Sequence, residues 1–258
     1  MTRRKVFGGV FLALVGLYFL LPLAAAIEFS LRDVGDTHSL EVWKTLFQQD
    51  GFVTNLLTSL KLALGTVALT LLIMVPTVTL IHLRMPQFRR TMEAICVLPL
   101  AIPAVVLANG VFVAFQGAPP WLNGTPVILC LEYVVLSLPF TYRALDAGLS
   151  AIPVVALVEA SRTLGGGWAT ALLRVVVPNL RTAILNVSIL AAALALGEFT
   201  LASLLLMDTL PVWTVSAGQS NGAVATAASM LILIVSWVLL LVMSVLSRRR
   251  SRTPRRSR

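Results

Sequence analysis

Apolar residues gather into six long runs along the chain, at 6–27, 56–83, 92–115, 126–142, 182–207 and 223–246. Each approaches or exceeds the roughly 20 residues that carry an α-helix across the hydrocarbon core of a bilayer. The pattern predicts an all-α, polytopic membrane protein with six transmembrane helices and short connections. Polar positions mark the joints. Residues 28–55 form the most acidic stretch, with Glu28, Asp33, Asp36, Glu41 and Asp50, and read as a loop. Pro76 predicts a kink in the second run, and Pro99 and Pro103 an irregular start to the third. A turn rich in glycine and proline follows at 117–124, and residues 208–222 read as a second loop. One stretch departs from the pattern. Residues 143–178 hold Arg143, Asp146, Glu159, Arg162 and Arg174 and three consecutive glycines at 165–167, and they are amphipathic rather than uniformly apolar.

Composition sharpens this reading. Apolar residues make up 58% of the chain and charged residues 12%, against roughly 25% charged in soluble domains. A water-soluble domain and a disordered chain are both excluded. The net charge of +9 on a soluble protein would suggest nucleic acid. Here the bases sit at the ends of the apolar runs, which is the signature of membrane topology. With the N-terminus in the cytoplasm, seventeen of the 20 bases fall on the cytoplasmic side, leaving only Arg32, Lys44 and Lys61. Both termini are therefore expected inside, which six crossings satisfy. The charged start and the alanines at 24–26 also suit a cleaved signal peptide, but the length of the first run favours a retained helix. The chain divides into a first helix and outer loop (1–54), a transmembrane domain (55–246) and a basic, topogenic tail (247–258).

Candidate chemistry is sparse. No phosphate-binding loop is present, because Gly165–Gly167 has no lysine after it. His38 and His82 fall on opposite sides of the membrane and cannot share a metal. Cys96 and Cys130 lie within apolar runs and read as buried thiols. No catalytic residues and no metal ligands are assigned, so the residues do not point to an enzyme. Glu132 and Glu198 sit within apolar runs, where a charge costs roughly 2.5–3.5 kcal/mol at the bilayer centre. They are candidates for a translocation pathway or gate, or for interhelical hydrogen bonds. Asn109, Asn186, Ser188 and Thr200 are milder pathway candidates, and helix–helix glue is the competing role for each.

The informative stretch is 159–178. Residues up to Leu164 suit a helix, the glycines stop it and allow a sharp turn, and Trp168, Leu172 and Val175 recur at helical spacing. Two short helices meeting at a glycine corner make a protruding knob. Such a knob suits docking to a cytoplasmic partner, or lying as an amphipathic hairpin on lipid headgroups.

Glu159-Ala160-Ser161, Gly165 and Val175-Val176-Val177-Pro178 resemble the Glu-Ala-Ala loop of permease subunits in binding-protein-dependent ABC importers. That pattern is Glu-Ala-Ala, three residues, Gly, nine residues, then Ile-x-Leu-Pro, and every spacing is met, with Ser161, Val175 and Val177 as conservative departures. The resemblance spans residues 55–246 and implies a type I importer transmembrane domain in the cytoplasmic membrane of a bacterium or archaeon. It implies partners: two ATP-binding cassette ATPases, a second permease subunit, identical or paralogous, an extracytoplasmic substrate-binding protein, and lipid, but no nucleic acid. ATP and magnesium would be used by the ATPases, with no cofactor on this chain. Glu159, Ala160, Ser161, Gly165, Trp168 and Pro178 would form the ATPase-coupling site, driving alternating access. Ala195-Leu196-Gly197-Glu198-Phe199, Leu210-Pro211-Val212 and residues 98–103 are similar to the polyamine, iron(III), thiamine, phosphonate and molybdate/sulfate branches. The reading leans towards a polyamine such as spermidine or putrescine, because intramembrane carboxylates attract a cation. The alternative is a self-contained secondary transporter, which usually carries an internal repeat; none is visible here.

Overall fold

A computed structural model describes residues 2–32, 39–122 and 124–250. His38, Asp33, Asp36 and tail residues 251–258 lie outside that set. Among the described residues the chain is helical, with no β-strand. The long helices are α1 (Thr2–Ser30), α3 (Phe52–Arg84), α6 (Pro126–Ser150), α10 (Arg181–Gly197) and α13 (Gly222–Arg250). Between them lie α2 (Glu41–Leu46), α4 (Arg89–Ala101), α5 (Ala104–Ala114), α7 (Val154–Thr163), α8 (Trp168–Thr170), α9 (Val177–Asn179), α11 (Thr200–Leu204) and α12 (Leu210–Ser220).

Among the described residues α1, α3 and α6 are unbroken and apolar enough to cross a bilayer. Two expected crossings are bent instead. The third run breaks between α4 and α5 by 100°. The break falls in the middle of the run and not at its start. Ile102 is extended there (φ −96°, ψ 125°) because it precedes Pro103, whose ring disfavours a helical residue before it. The helix through 168–179 meets α10 at 80° across Leu180. The fifth run also fails to continue as one helix. It stops at Gly197, turns at Glu198 and restarts as α11. The expected loop at 208–222 is mostly α12, started by Pro211 in its first turn, where a missing N–H costs nothing. The polar loop at 28–55 likewise contains α2.

The bundle centre is α3 packed on α6 and α10. Small and hydroxylic residues allow the close approach. A Cβ on Gly148 of α6 would lie 2.7 Å from the Ala183 Cβ of α10. Thr70 and Ser137 hydroxyls meet at 3.2 Å between α3 and α6, in the buried core. In lipid such contacts take the place of hydrophobic association. Ser188, expected as interhelical glue, instead donates to the Ile184 carbonyl of its own helix, and Asn186 is exposed. Apolar packing then divides along the bundle. One cluster joins Met74, Val78, Tyr142, Leu145, Val158 and Val176 at the arginine-bearing end. A second joins Leu62, Leu129, Tyr133 and Leu196 towards the other end. A third holds α2 and α12 on α13 through Leu46, Phe52, Leu210 and Val224. α1 leans on α13 and is otherwise exposed, although its mean hydropathy is 2.5. A helix of that kind has only lipid or another apolar surface to face.

Candidate coupling knob and membrane acids

The knob begins where α6 ends. Ala151–Pro153 turn the chain, and α7 starts behind Pro153. Val154 and Val158 are buried in the arginine-end cluster, one helical turn apart. Glu159, Ala160, Arg162 and Thr163 lie on the exposed side of α7, and Ser161 is half-buried. The helix ends in a double hydrogen bond. The Gly166 N–H donates to the Ser161 carbonyl and the Gly165 N–H to the Arg162 carbonyl, both at 2.9 Å. This is the Schellman pattern, and it puts Gly165 in the left-handed region at φ 84°. Leu164, beside it, is 88% exposed, an unusual position for a leucine.

The return limb differs from the expected stripe. Residues 171–176 wind as a π-helix between α8 and α9. The buried side chains there are Ala171 and Val176, five apart, while Trp168, Leu172 and Val175 are only half-buried. A π-turn advances by about one more residue than an α-turn, so the period of 3.6 no longer picks the inward face. Pro178 is exposed just beyond. It has no N–H for the Arg174 carbonyl and its ring crowds that carbonyl, which favours a widened turn before it. The sequence reading also missed Gly166. A Cβ there would meet the Ser161 carbonyl and hydroxyl oxygens at 2.7 Å, whereas one on Gly165 meets open space.

The two intramembrane acids have different surroundings. Glu132 of α6 is 4% exposed, and neither carboxylate oxygen has a hydrogen-bond partner in the protein. Glu198 sits at the corner between α10 and α11. Its Oε1 accepts the Thr200 N–H at 3.0 Å and its Oε2 the Leu201 N–H at 2.9 Å, with longer contacts to Leu201 and Ala202. Glu198 therefore caps α11 and satisfies amides that a helix start leaves free. The Tyr133 hydroxyl lies 3.5 Å from the Glu198 carbonyl and ties this corner to α6. The Gly-Glu pair followed by a fresh apolar segment was the signal in the sequence for a helix stop and restart. Asn109, on α5, is exposed, as are its neighbours Gly110 and Phe112. The structure thus gathers Glu132, Tyr133 and Glu198 on one side of the bundle core and leaves Asn109 facing outward. Among the described residues no cluster of His, Cys, Asp and Glu is suited to a metal. Cys96 is buried and Cys130 half-buried against Thr66.

A chain of packed, partly broken apolar helices with a protruding helical corner has relatives. The family described as "Binding-protein-dependent transport system inner membrane component" matches residues 82–253, about two-thirds of the chain. This chain belongs to that family. It is a permease subunit of a binding-protein-dependent ABC importer of type I, and a multi-pass protein of the bacterial inner membrane. It is similar to the probable transport system permease protein NifC of Clostridium pasteurianum, at 28% identity over 93% of this chain and 87% of the relative. It is similar to the putative 2-aminoethylphosphonate transport system permease protein PhnV of Salmonella typhimurium, at 30% identity over 57% of this chain and 56% of the relative. It also resembles the ferric transport system permease protein FbpB of Actinobacillus pleuropneumoniae, at 33% identity over 39% of this chain and 14% of the relative. The chain thus spans nearly all of the first relative, about half of the second and a small part of the third.

Proposed function

We propose that this permease forms one half of the translocation pathway of an ATP-driven importer, and that the knob at 159–178 docks it to a cytoplasmic ATPase. The observation that carries this reading is the division of the knob into two faces. Val154, Val158, Ala171 and Val176 root it in the bundle core, while Glu159, Ala160 and Leu164 stay exposed. A rooted, rigid projection passes on a displacement that a floppy loop would absorb. The partners follow from this role: two ATPase subunits that bind ATP and magnesium, a second permease, identical or paralogous, and an extracytoplasmic binding protein that delivers the solute. ATP binding closes the ATPase pair, the knobs move, and the pathway opens outward. Hydrolysis resets it.

The test is assembly and coupling in the complete transporter. Glu159→Lys reverses an exposed charge, and Gly165→Asp adds a side chain and a charge at the left-handed corner. Each is expected to leave the permease in the membrane and to reduce co-purifying ATPase, or to separate ATP turnover from uptake. Normal assembly with normal coupled uptake in both variants removes the knob from this role. A cysteine at Leu164 is expected to cross-link to the ATPase.

For the substrate we propose an oxyanion of the phosphonate or molybdate kind. One relative, which matches 57% of this chain, is named for 2-aminoethylphosphonate. The electrostatic case for a polyamine weakens once the Glu198 carboxylate is engaged by backbone amides. A ferric substrate has the support of a shorter match. Competition for uptake decides among them. Excess 2-aminoethylphosphonate or molybdate is expected to block it, and spermidine is not; the opposite result restores the polyamine reading.

A further inference from the structure

The arginines at this end of the bundle read, from sequence, as topology signals. Arg89 is 39% exposed but is also paired. It is the first residue of α4 and clamps Asp146 on α6 with a forked contact. Its Nη2 lies 2.8 Å from Oδ1 and 3.0 Å from Oδ2, and its Nε lies 3.1 Å from Oδ1. Nη2 also donates to the Ser150 hydroxyl at 3.0 Å, one turn further along α6. The backbone of the same arginine is held too. Its carbonyl accepts the hydroxyl of the buried Tyr142 at 2.8 Å. The third element is α3, whose His82 Nε2 lies 3.3 Å from Asp146 Oδ1. Three helix ends therefore meet at one ion pair, and a forked arginine–carboxylate contact fixes direction as well as distance.

The position of this joint matters more than its strength. Ser150 is the last residue of α6, and only Ala151–Pro153 separate it from α7 of the knob. On the other side, α4 is a helix of 13 residues that ends at the 100° corner before α5. α5 is the helix that carries the exposed Asn109. The clamp grips α4 at its first residue, close to the start of the knob; a looser, exposed pair, Arg143 with Glu93 at 3.6 Å, joins the same two helices.

We propose that the Arg89–Asp146 pair is a coupling strut: it transmits displacement of the knob into α4, and through the corner at Ile102–Pro103 into α5. Arg89 and Asp146 are positioning residues on this account, and neither touches substrate. The inference rests on the knob being the ATPase-docking element. The competing role is a static brace, which would hold the helices together without relaying anything.

The experiment needs no substrate. The complete transporter carries Asn109→Cys, and its labelling by a membrane-impermeant maleimide is compared without nucleotide and after trapping with ATP and vanadate. Trapping is expected to change the labelling rate about fivefold or more, the scale of a typical coupling between sites. Asp146→Asn is expected to abolish most of that change while the co-purified ATPase remains at parental level. Arg89→Lys, which keeps the charge and loses the fork, is expected to reduce it in part. The charge exchange Arg89→Asp with Asp146→Arg is expected to recover more of the response than either single change. A parental response that persists in Asp146→Asn overturns the strut, as does the absence of any response in the parent. If Asp146→Asn is missing from the membrane, the decision passes to Arg89→Lys, where a full response likewise overturns the proposal. The Leu164→Cys cross-link in the parental background reports docking separately. A failed cross-link sinks the knob reading and the strut with it. A successful cross-link beside a full response in Asp146→Asn sinks the strut alone.

Discussion

Glu198 shows how a single residue changes meaning once its neighbours are known. In the sequence it is a charge in an apolar run. In the structure it is a helix cap, with both oxygens on backbone amides. Glu198→Ala is therefore expected to lower stability by about 1–2 kcal/mol, the usual cost of losing a cap. Glu198→Gln, which keeps one acceptor oxygen, should recover part of that. Thermal unfolding of the detergent-solubilised protein measures both. A Gln variant with parental stability and no uptake would return the carboxylate to the pathway. The three glycines of the knob make a second residue-scale test, because each is constrained differently. Gly165→Ala meets no atom but must keep φ 84°, at about 1 kcal/mol. Gly166→Ala collides with the Ser161 carbonyl. Gly167 is extended (φ −74°, ψ 177°) and open, so Gly167→Ala is expected to be silent. Co-purifying ATPase should fall for alanine at 165 and 166 and hold at 167. A uniform response across all three would mean that corner geometry is not what the partner reads.

At the scale of elements, the contact between α6 and α10 depends on the lack of a side chain at Gly148. A Cβ there would sit 2.7 Å from Ala183 Cβ and 3.1 Å from Leu180 Cδ2. Gly148→Leu is expected to cost about 1–3 kcal/mol as overpacking, seen as a lower unfolding temperature or lower yield in the membrane. Gly110→Ala on α5 has nothing within 4 Å and should be neutral in the same assay, unless a second permease covers that face. One element boundary was legible at Pro126, in the first turn of α6; Pro211 likewise opens α12, but the polar residues around it had read as a loop. The return limb of the knob was not legible. The 3.6 period in Trp168, Leu172 and Val175 pointed to the wrong face, because the limb winds as a π-turn and buries Ala171 and Val176.

For the whole molecule, the arginine distribution predicts orientation. Reporter fusions at Asp36, Gly117 and Gly218 are expected to report outside, and fusions after Arg90 and Arg250 inside. A C-terminus found outside overturns that topology, and a mature N-terminus near Ile27 would show the first helix to be removed. The bent pairs leave this orientation unchanged so long as each bent segment emerges on the side opposite its entry. The membrane class could be read directly, because a bilayer tolerates only segments that satisfy their own backbone. The place of the knob was legible for the same reason, as the one amphipathic interval between apolar runs.

The sequence by itself determined the solvent, the helical class, the arginine bias and the family, since each depends on composition or on spacing along the chain. Only tertiary structure decided what the polar residues do. Asp146 and Arg89 are 57 positions apart, and folding brings them into a forked contact. Ser59 and Leu210 are 151 apart, yet the Ser59 hydroxyl accepts the first amide of α12 at 2.8 Å. Glu132 and Glu198 look alike in the sequence, but one is buried without a partner and the other caps a helix. A local pattern fixes which segments enter the membrane, because that is a property of each segment alone. The pairing of polar groups inside it is a property of contacts between segments, and the chain's order holds no record of those.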